Sequence, residues 1–306
     1  MTQERAPRVL TPDQQLARFR KIYPRFDPQL IAHIHSVTEF ARPHGGKDFS
    51  TVMAWAMLES FGNPASRTTT GDFTRHTAFG AFHFKPETML EGFLRTADLQ
   101  VQFNPSLQGH VTQARALLAL KAKNPAQFTA GALAFSQNMF KNPILTAQVQ
   151  ALIVASNSTD YVAHFLGPTG ARNLREAAAG KNNITMDSLL AGLTQRFPRS
   201  ELDQHLTSAA NPFISPNMEK AAQSNPSYFF NCDKTHCRPR LPSETLREIE
   251  RRVTEKTDLF EKDFPQLRTA NLETPPEPAA TAPARKPADA KKPPVVPTRI
   301  MAGQPR

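Results

Sequence analysis

Apolar side chains recur at three- and four-residue steps through most of residues 27–196, the spacing that lines one face of an α-helix. The pattern predicts helices over residues 28–39, 48–61, 86–94, 107–122, 125–138, 143–155, 158–166 and 170–179, joined by short breaks. Start signals agree with it. Asp48 is placed to cap a helix, and Pro86, Pro125 and Pro143 fall in first turns, where the missing N–H has no helical partner to lose. Residues 63–84 form the one long stretch without the period, and a loop of that length inside a compact domain is usually functional or mobile. Further on, Pro212, Pro216, Pro226 and Pro239 break up the chain, so residues 216–242 read as an irregular linker. Leu246, Ile249, Val253, Thr257 and Phe260 then restore the helical step, which makes 243–263 an amphipathic helix opened by Pro242. Residues 1–26 precede the periodic core as an N-terminal extension.

Composition narrows the class to mainly α. Only 13 of the 306 residues are glycine and alternating Val/Ile-rich runs are almost absent, which leaves an all-β or parallel-sheet fold little to stand on. Hydrophobic residues make up 39 %, so part of the length is left unpacked. That part is the C-terminus: residues 273–306 hold nine prolines, the lysine pair Lys291 and Lys292, and few large apolar side chains. Such a segment cannot offset its ordering entropy by burial and reads as a disordered tail.

Charge and cysteine usage say less. The 37 Lys and Arg against 27 Asp and Glu leave a net charge of +10, which suits nucleic acid, an anionic membrane or an acidic polymer such as peptidoglycan without ranking them. The Lys/Pro-rich tail lacks a nucleic-acid-binding motif and interleaved aromatics, so no nucleic acid is expected as a partner. Residues 1–23 are charged throughout, no signal peptide is visible, and no segment has spanning length. Cys232 and Cys237 are the only cysteines. With His236 they leave a tetrahedral metal site a ligand short, and read either as a short-range disulfide or as two free thiols. Neither metal nor cofactor is expected.

Glu59 is the first residue to stand out. Phe49, Val52, Met53, Ala56 and Leu58 cover most of its helix, and Trp55 and Ala56 lie four and three residues before it, on its own face. A carboxyl on so apolar a surface is desolvated and keeps its proton near neutrality, as a general acid acting on a glycosidic oxygen must. The plainer alternative is a solvated glutamate at a helix C-terminus.

The residues around Glu59 carry more information. Glu59-Ser60-Phe61-Gly62-Asn63-Pro64, then Thr77-Ala78-Phe79-Gly80-Ala81-Phe82-His83-Phe84 and Thr88, resemble the lytic transglycosylase (SLT-type) domain of the lysozyme-like superfamily. There a helix ending in Glu-Ser leads through a loop into a Gly-apolar-apolar-Gln turn and a Thr. Tyr161-Val162-Ala163-His164-Phe165-Leu166-Gly167-Pro168 with Gly170-Ala171 is similar to the Tyr-x-Ala-His-Phe-Leu-Gly segment of one branch, and Asn211-Pro212-Phe213-Ile214 resembles its trailing Asn-x-x-Phe. The resemblance covers about residues 50–215 and implies a goose-lysozyme-like helical domain over residues 27–215 that cleaves the glycan strands of peptidoglycan.

In that reading Glu59 takes the place of the single catalytic acid/base, and Ser60 that of a serine orienting the substrate or the reacting group. One carboxyl serves twice, protonating the MurNAc–GlcNAc β-1,4 oxygen and then deprotonating the muramyl 6-hydroxyl, to give 1,6-anhydro-muropeptides. Asp72, the other acid of the loop, is a solvated loop residue or a second carboxyl for hydrolysis. Tyr161 and His164 lie three apart on one helical face, with His164 expected, more than Tyr161, to hydrogen-bond near Glu59, or else to be a satisfied core histidine. Phe79, Phe82 and Phe84 offer stacking faces for sugar or belong to the core, and Arg67 and Arg75 meet stem-peptide carboxylates or are simply solvated.

Two departures bear on activity. Met89 stands where the branch often has an aromatic residue, and His83 stands at the family's Gln, facing the substrate and expected to titrate within about pH 5 to 8. His83 keeps an alternative open: a catalytically degenerate lysozyme-like protein that binds glycan or scaffolds an envelope or secretion machine, with the tail as a docking segment. The cell wall lies outside the cytoplasmic membrane, and the export route stays open. The tail makes the first prediction. Truncation after Leu272 leaves the melting temperature almost unchanged, and a fall of several degrees in thermal melts would show that the tail packs on the domain.

Overall fold

The computed structural model describes residues 10–68, 72–74, 76–180, 196–206, 222–223 and 225–268. The expectations for the tail, for Arg75 and for Asn211-Pro212-Phe213-Ile214 lie outside the described residues. The chain divides into two units, Met1–Glu273 and Thr274–Arg306, and the described residues all belong to the first.

The first unit is mainly helical. Its helices run α1 (Pro12–Ile22), α2 (Gln29–Ala41), α3 (Phe49–Ser60), α4 (Pro86–Arg95), α5 (Ala97–Phe103), α6 (Gln108–Leu118), α7 (Pro125–Phe140), α8 (Pro143–Ser156) and α9 (Tyr161–Ala178). A small antiparallel sheet follows, ordered β1 (Phe197–Pro198), β3 (His236–Pro239), β2 (Phe230–Cys232), with the single-turn helix α10 (Pro226–Phe229) before β2 and the long α11 (Pro242–Asp258) after β3. Among the described residues no helix is long and apolar enough to cross a membrane.

Helix α3 is the centre of the unit. Phe49, Val52, Met53, Ala54, Trp55, Ala56 and Met57 are buried on all its sides, and α2, α8 and α11 pack around it. Asp48 caps its start by accepting from the Thr51 amide at 2.8 Å. At its end Phe61 turns left-handed (φ 55°), and the Phe61 and Gly62 amides reach back to the Met57 and Ala56 carbonyls at 3.2 and 3.1 Å. This double closure normally uses glycine at the left-handed position; here an exposed phenylalanine holds it, with Gly62 (φ 70°) immediately after.

Several boundaries differ from the sequence pattern, each for a physical reason. Residues 10–26 are no appendage: the Phe19 ring packs against Tyr23, Phe26, Phe260 and Phe264, joining α1 to the turns after α11. The two helices expected at 158–166 and 170–179 share the span of α9, interrupted at Gly167. Pro168 bars its predecessor from helical geometry, and Gly167 takes φ 74° and ψ 161°, which a side chain would resist. Within the expected linker at 216–242, β2 and β3 form a hairpin whose facing Cys232 and Cys237 are joined as a disulfide. Strands of two to four residues are too short to show alternation.

Gly62 and Gly45 separate two kinds of strain. Both have positive φ, but a Cβ at Gly62 would stand 2.3 Å from the Phe26 ring, whereas one at Gly45 meets nothing within 4 Å. Gly45→Ala therefore carries only the left-handed penalty, about 1–2 kcal/mol. Gly62→Ala adds overpacking of about 1–3 kcal/mol to the same penalty. Urea unfolding of the two variants measures the difference.

Candidate active site

Glu59 occupies the last turn of α3, where the helix meets the loop of residues 63–84. That loop folds back as a hairpin-like turn, with Phe79 and Phe84 exchanging backbone hydrogen bonds at 3.1 Å in both directions. Two side chains fasten it to the helices. The buried Ser60 hydroxyl lies 2.8 Å from the Ala81 carbonyl and accepts from the Asn63 amide at 3.1 Å. Gln150 of α8, wholly buried, donates to the Phe79 carbonyl at 2.8 Å and accepts from the Phe82 amide at 3.2 Å. Gly80 is what admits it, since a Cβ there would lie 2.3 Å from Gln150 Oε1. The turn ends with His83 in left-handed backbone geometry (φ 47°), which aims its ring at Glu59.

Three side chains converge on the carboxyl. The Tyr161 hydroxyl donates to Glu59 Oε1 at 2.9 Å, His164 Nε2 stands 3.8 Å from the same oxygen, and His83 Nδ1 stands 3.7 Å from Oε2. His83 is steadied by Ser66 Oγ at 2.8 Å on its Nε2. Tyr161 and His164 come from the first turn of α9, which Asp160 caps through the Ala163 amide at 3.0 Å. Trp55 closes the back of the site, its ring centroid 5.5 Å from that of Tyr161 and 5.1 Å from that of His164. Lys47 Nζ lies 5.2 Å over the Trp55 ring and donates to the Val154 and Asn157 carbonyls. Glu59 keeps 14 % of its side-chain surface, His83 18 % and His164 14 %, so the cluster is nearly dry but reachable from solvent.

The electrostatics follow from that dryness. Burial pushes the Glu59 carboxyl up to about 7, the Tyr161 hydrogen bond pulling the other way. Burial pushes His83 and His164 down to about 4; for His164 a hydrogen bond to the Phe82 backbone opposes the shift, while His83 and the Lys47 charge add to it. Between those values a protonated carboxyl sits among neutral imidazoles, each with one donor and one acceptor nitrogen. The group that titrates near neutrality is thus Glu59, and not His83 as its exposure-free pKa had implied.

The structure brings Glu59, Ser60, His83, Tyr161 and His164 together but changes some of their roles. Tyr161, rather than His164, makes the hydrogen bond to Glu59. Ser60 faces the protein's own backbone, so it holds the turn instead of meeting a ligand. Phe82 has no exposed surface, nor has Phe79, and Phe84 keeps 5 %; these rings are core and offer no stacking face. Met89 is core as well. Asp72 and Arg67 are exposed, and among the described residues no second carboxyl contacts Glu59. Among the described residues no cluster of His, Cys, Asp or Glu is placed to hold a metal ion.

Two residues escaped the sequence reading. Gln150 was visible as one of two amides, with Gln148, within the apolar run of α8, where a buried polar group needs a partner. Tyr228 gave no signal beyond its side-chain type, because only the fold carries it to the Phe165 ring that stacks on Tyr161. No family model, curated protein or solved structure matches this chain.

The raised Glu59 carboxyl makes stability depend on pH with a definite sign. An unfolded carboxyl ionises from about pH 4.5, the folded one from about pH 7, so stability present below 4.5 is lost as pH rises through 7. The loss is on the order of 3 kcal/mol. Glu59→Gln removes it: relative to the parent, the variant gains about that much between pH 4 and pH 9. Denaturant unfolding of both proteins across the range tests this, and a pH-independent difference contradicts it.

Proposed function

We propose that this chain is a lytic transglycosylase of the lysozyme-like class, cleaving the MurNAc–GlcNAc β-1,4 bond of peptidoglycan glycan strands with Glu59 as the only acid/base. The observation that carries the reading is one nearly buried carboxyl, protonated up to about pH 7, with Tyr161, His83 and His164 around it and, among the described residues, no partner carboxyl in contact. Its sequence setting, Glu-Ser before the Gly80 turn and the Tyr161–His164 segment after it, supports the same conclusion.

The chemistry uses one proton twice. Protonated Glu59 delivers its proton to the glycosidic oxygen as the C1–O bond breaks, and the N-acetyl oxygen of the same muramyl residue shields the developing positive charge at C1. The Glu59 carboxylate then takes the proton of the 6-hydroxyl while that oxygen bonds to C1, which restores the acid and leaves a 1,6-anhydro ring without consuming water. Hydrolysis would ordinarily use a second carboxyl to activate water, and among the described residues none touches Glu59. Neutral His83 offers its N–H to a sugar hydroxyl without competing for the proton, while neutral His164 spends its one N–H on the Phe82 backbone and presents an acceptor nitrogen.

Mass spectrometry of sacculi incubated with the purified chain tests the reading. Anhydro-muropeptides are expected from the parent, with the rate falling above about pH 7 as Glu59 loses its proton. Glu59→Gln is expected to lower the rate at least 100-fold with the melt retained, far more than Asp72→Asn. Reducing-end products would replace transglycosylation by hydrolysis. Binding to sacculi without products would favour the glycan-binding reading that the His83 replacement suggests.

A further inference from the structure

The loop between Glu59 and His83 holds one more side chain against the site. Ser66 Oγ lies 2.8 Å from His83 Nε2, and the other ring nitrogen, Nδ1, faces Glu59 Oε2 at 3.7 Å. Three side chains therefore stand in the order hydroxyl, imidazole, carboxyl, one neighbour to each ring nitrogen. Ser66 is held from both ends: its amide donates to the Asn63 carbonyl at 3.1 Å, and its carbonyl accepts from the Gly80 amide at 2.8 Å. The Asn63 side chain in turn accepts from the Ala65 amide at 3.0 Å. Ser66, like His83 and Glu59, keeps partial exposure.

Counting protons gives the row a direction. Ionised Glu59 can only accept, so the imidazole hydrogen sits on Nδ1, facing it. Nε2 is then the acceptor, and Ser66 donates its hydroxyl proton to it. A serine oxygen becomes a nucleophile in this arrangement, with a base on its proton and a carboxylate behind the base that orients the ring and stabilises the imidazolium. The Glu59 contact is longer than a hydrogen bond, as such contacts often are before a substrate binds. Ionisation of Glu59 also strengthens His83 as a base, because an opposite charge at 3.7 Å counters the burial that lowers it. The other ionisable groups facing the pair are Tyr161 and His164 of α9, both at Oε1, with Lys47 beyond His164.

We propose that Ser66, His83 and Glu59 form a nucleophile–base–carboxylate triad for a second reaction, the hydrolysis of esters on sugar hydroxyls of the glycan. Ser66 Oγ bonds to the ester carbonyl carbon as its proton passes to His83 Nε2. The bond from that carbon to the sugar oxygen then breaks, and the sugar oxygen leaves as a hydroxyl with the proton from Nε2. Water attacks the acyl-Ser66 carbon, gives one proton through Nε2 to Ser66 Oγ, and releases the carboxylic acid. The choice of ester rests on the glycan-cleaving reading of Glu59. Ring closure there consumes the proton of the muramyl 6-hydroxyl, so an acyl group on that oxygen blocks it, and removing the acyl group restores the substrate. The two reactions need Glu59 in opposite states, protonated for cleavage and ionised for the triad.

The test treats the purified chain with a fluorophosphonate probe at pH 8 and maps the modified peptide, then measures acetate released from O-acetylated sacculi. The label is expected on Ser66, and Ser66→Ala is expected to lose both label and acetate release. Release by the parent should be about tenfold slower at pH 6 than at pH 8, following the ionised fraction of a carboxyl near 7. An unlabelled Ser66 in the parent overturns the proposal, whatever the variant does. Acetate release that survives Ser66→Ala overturns it too, and a rate equal at both pH values removes Glu59 from the triad. If Ser66 is labelled and acetate is released while no anhydro-muropeptides form, the triad stands and the glycan-cleaving reading falls.

Discussion

One carboxyl group held out of water at the end of an apolar helix is the constraint from which the rest of this structure follows. Helix α3 has no polar face, so Glu59 leaves it only at the last turn, where the chain must also stop, reverse and return. The left-handed Phe61 and Gly62 make the stop, and Gly62 passes so close to Phe26 that no side chain fits. The return is a turn pinned from two sides, by Ser60 of the same helix and by Gln150 of α8, and its last residue is His83. Strained left-handed residues on both sides of the carboxyl, Phe61 and His83, are the local expression of fitting a functional group into a core.

A desolvation cost of on the order of 3 kcal/mol at alkaline pH is a sizeable share of the roughly 5–15 kcal/mol that stabilises an ordinary domain. It is offset by the aromatic packing that causes it. Trp55, Tyr161, His164 and Phe84 form one ring-to-ring cluster beside Glu59, and Tyr161 supplies the hydrogen bond that limits the shift. The two imidazoles are kept neutral by the same burial. Removing water from this pocket therefore sets three ionisations at once. Below neutrality it leaves a protonated carboxyl among neutral imidazoles.

The C-terminal elements share this work. Helix α11 packs against both α3 and α9, the two helices that carry Glu59 and Tyr161. Its Arg252 reaches Tyr228, and the hairpin closed by Cys232 and Cys237 sits directly between α10 and α11. At the other end, the Phe19 cluster ties α1 to the turns following α11. The surroundings of the Glu59 carboxyl thus depend on segments more than a hundred residues away in sequence.

Periodicity along the chain was enough to place the long helices, because each buries one face or all of itself and its apolar spacing records that fact locally. It marked Glu59 for the same reason, as a charge on a surface with no polar side. What local spacing could not record is which faces meet. Tyr161 and His164 share a helical face, and only the approach of α9 to α3 decided that Tyr161 reaches Oε1 while His164 stops 3.8 Å short. Phe82 and His83 are neighbours in sequence, yet the turn buries one ring completely and turns the other to the carboxyl, a matter of one left-handed residue. The strands of the small sheet and the packing of Tyr228 on Phe165 rest on contacts between distant segments. Helix formation and the burial of Glu59 are written in neighbouring residues; hydrogen-bond partners and ionisation are set by distances across the core, and these exist only once the chain has packed.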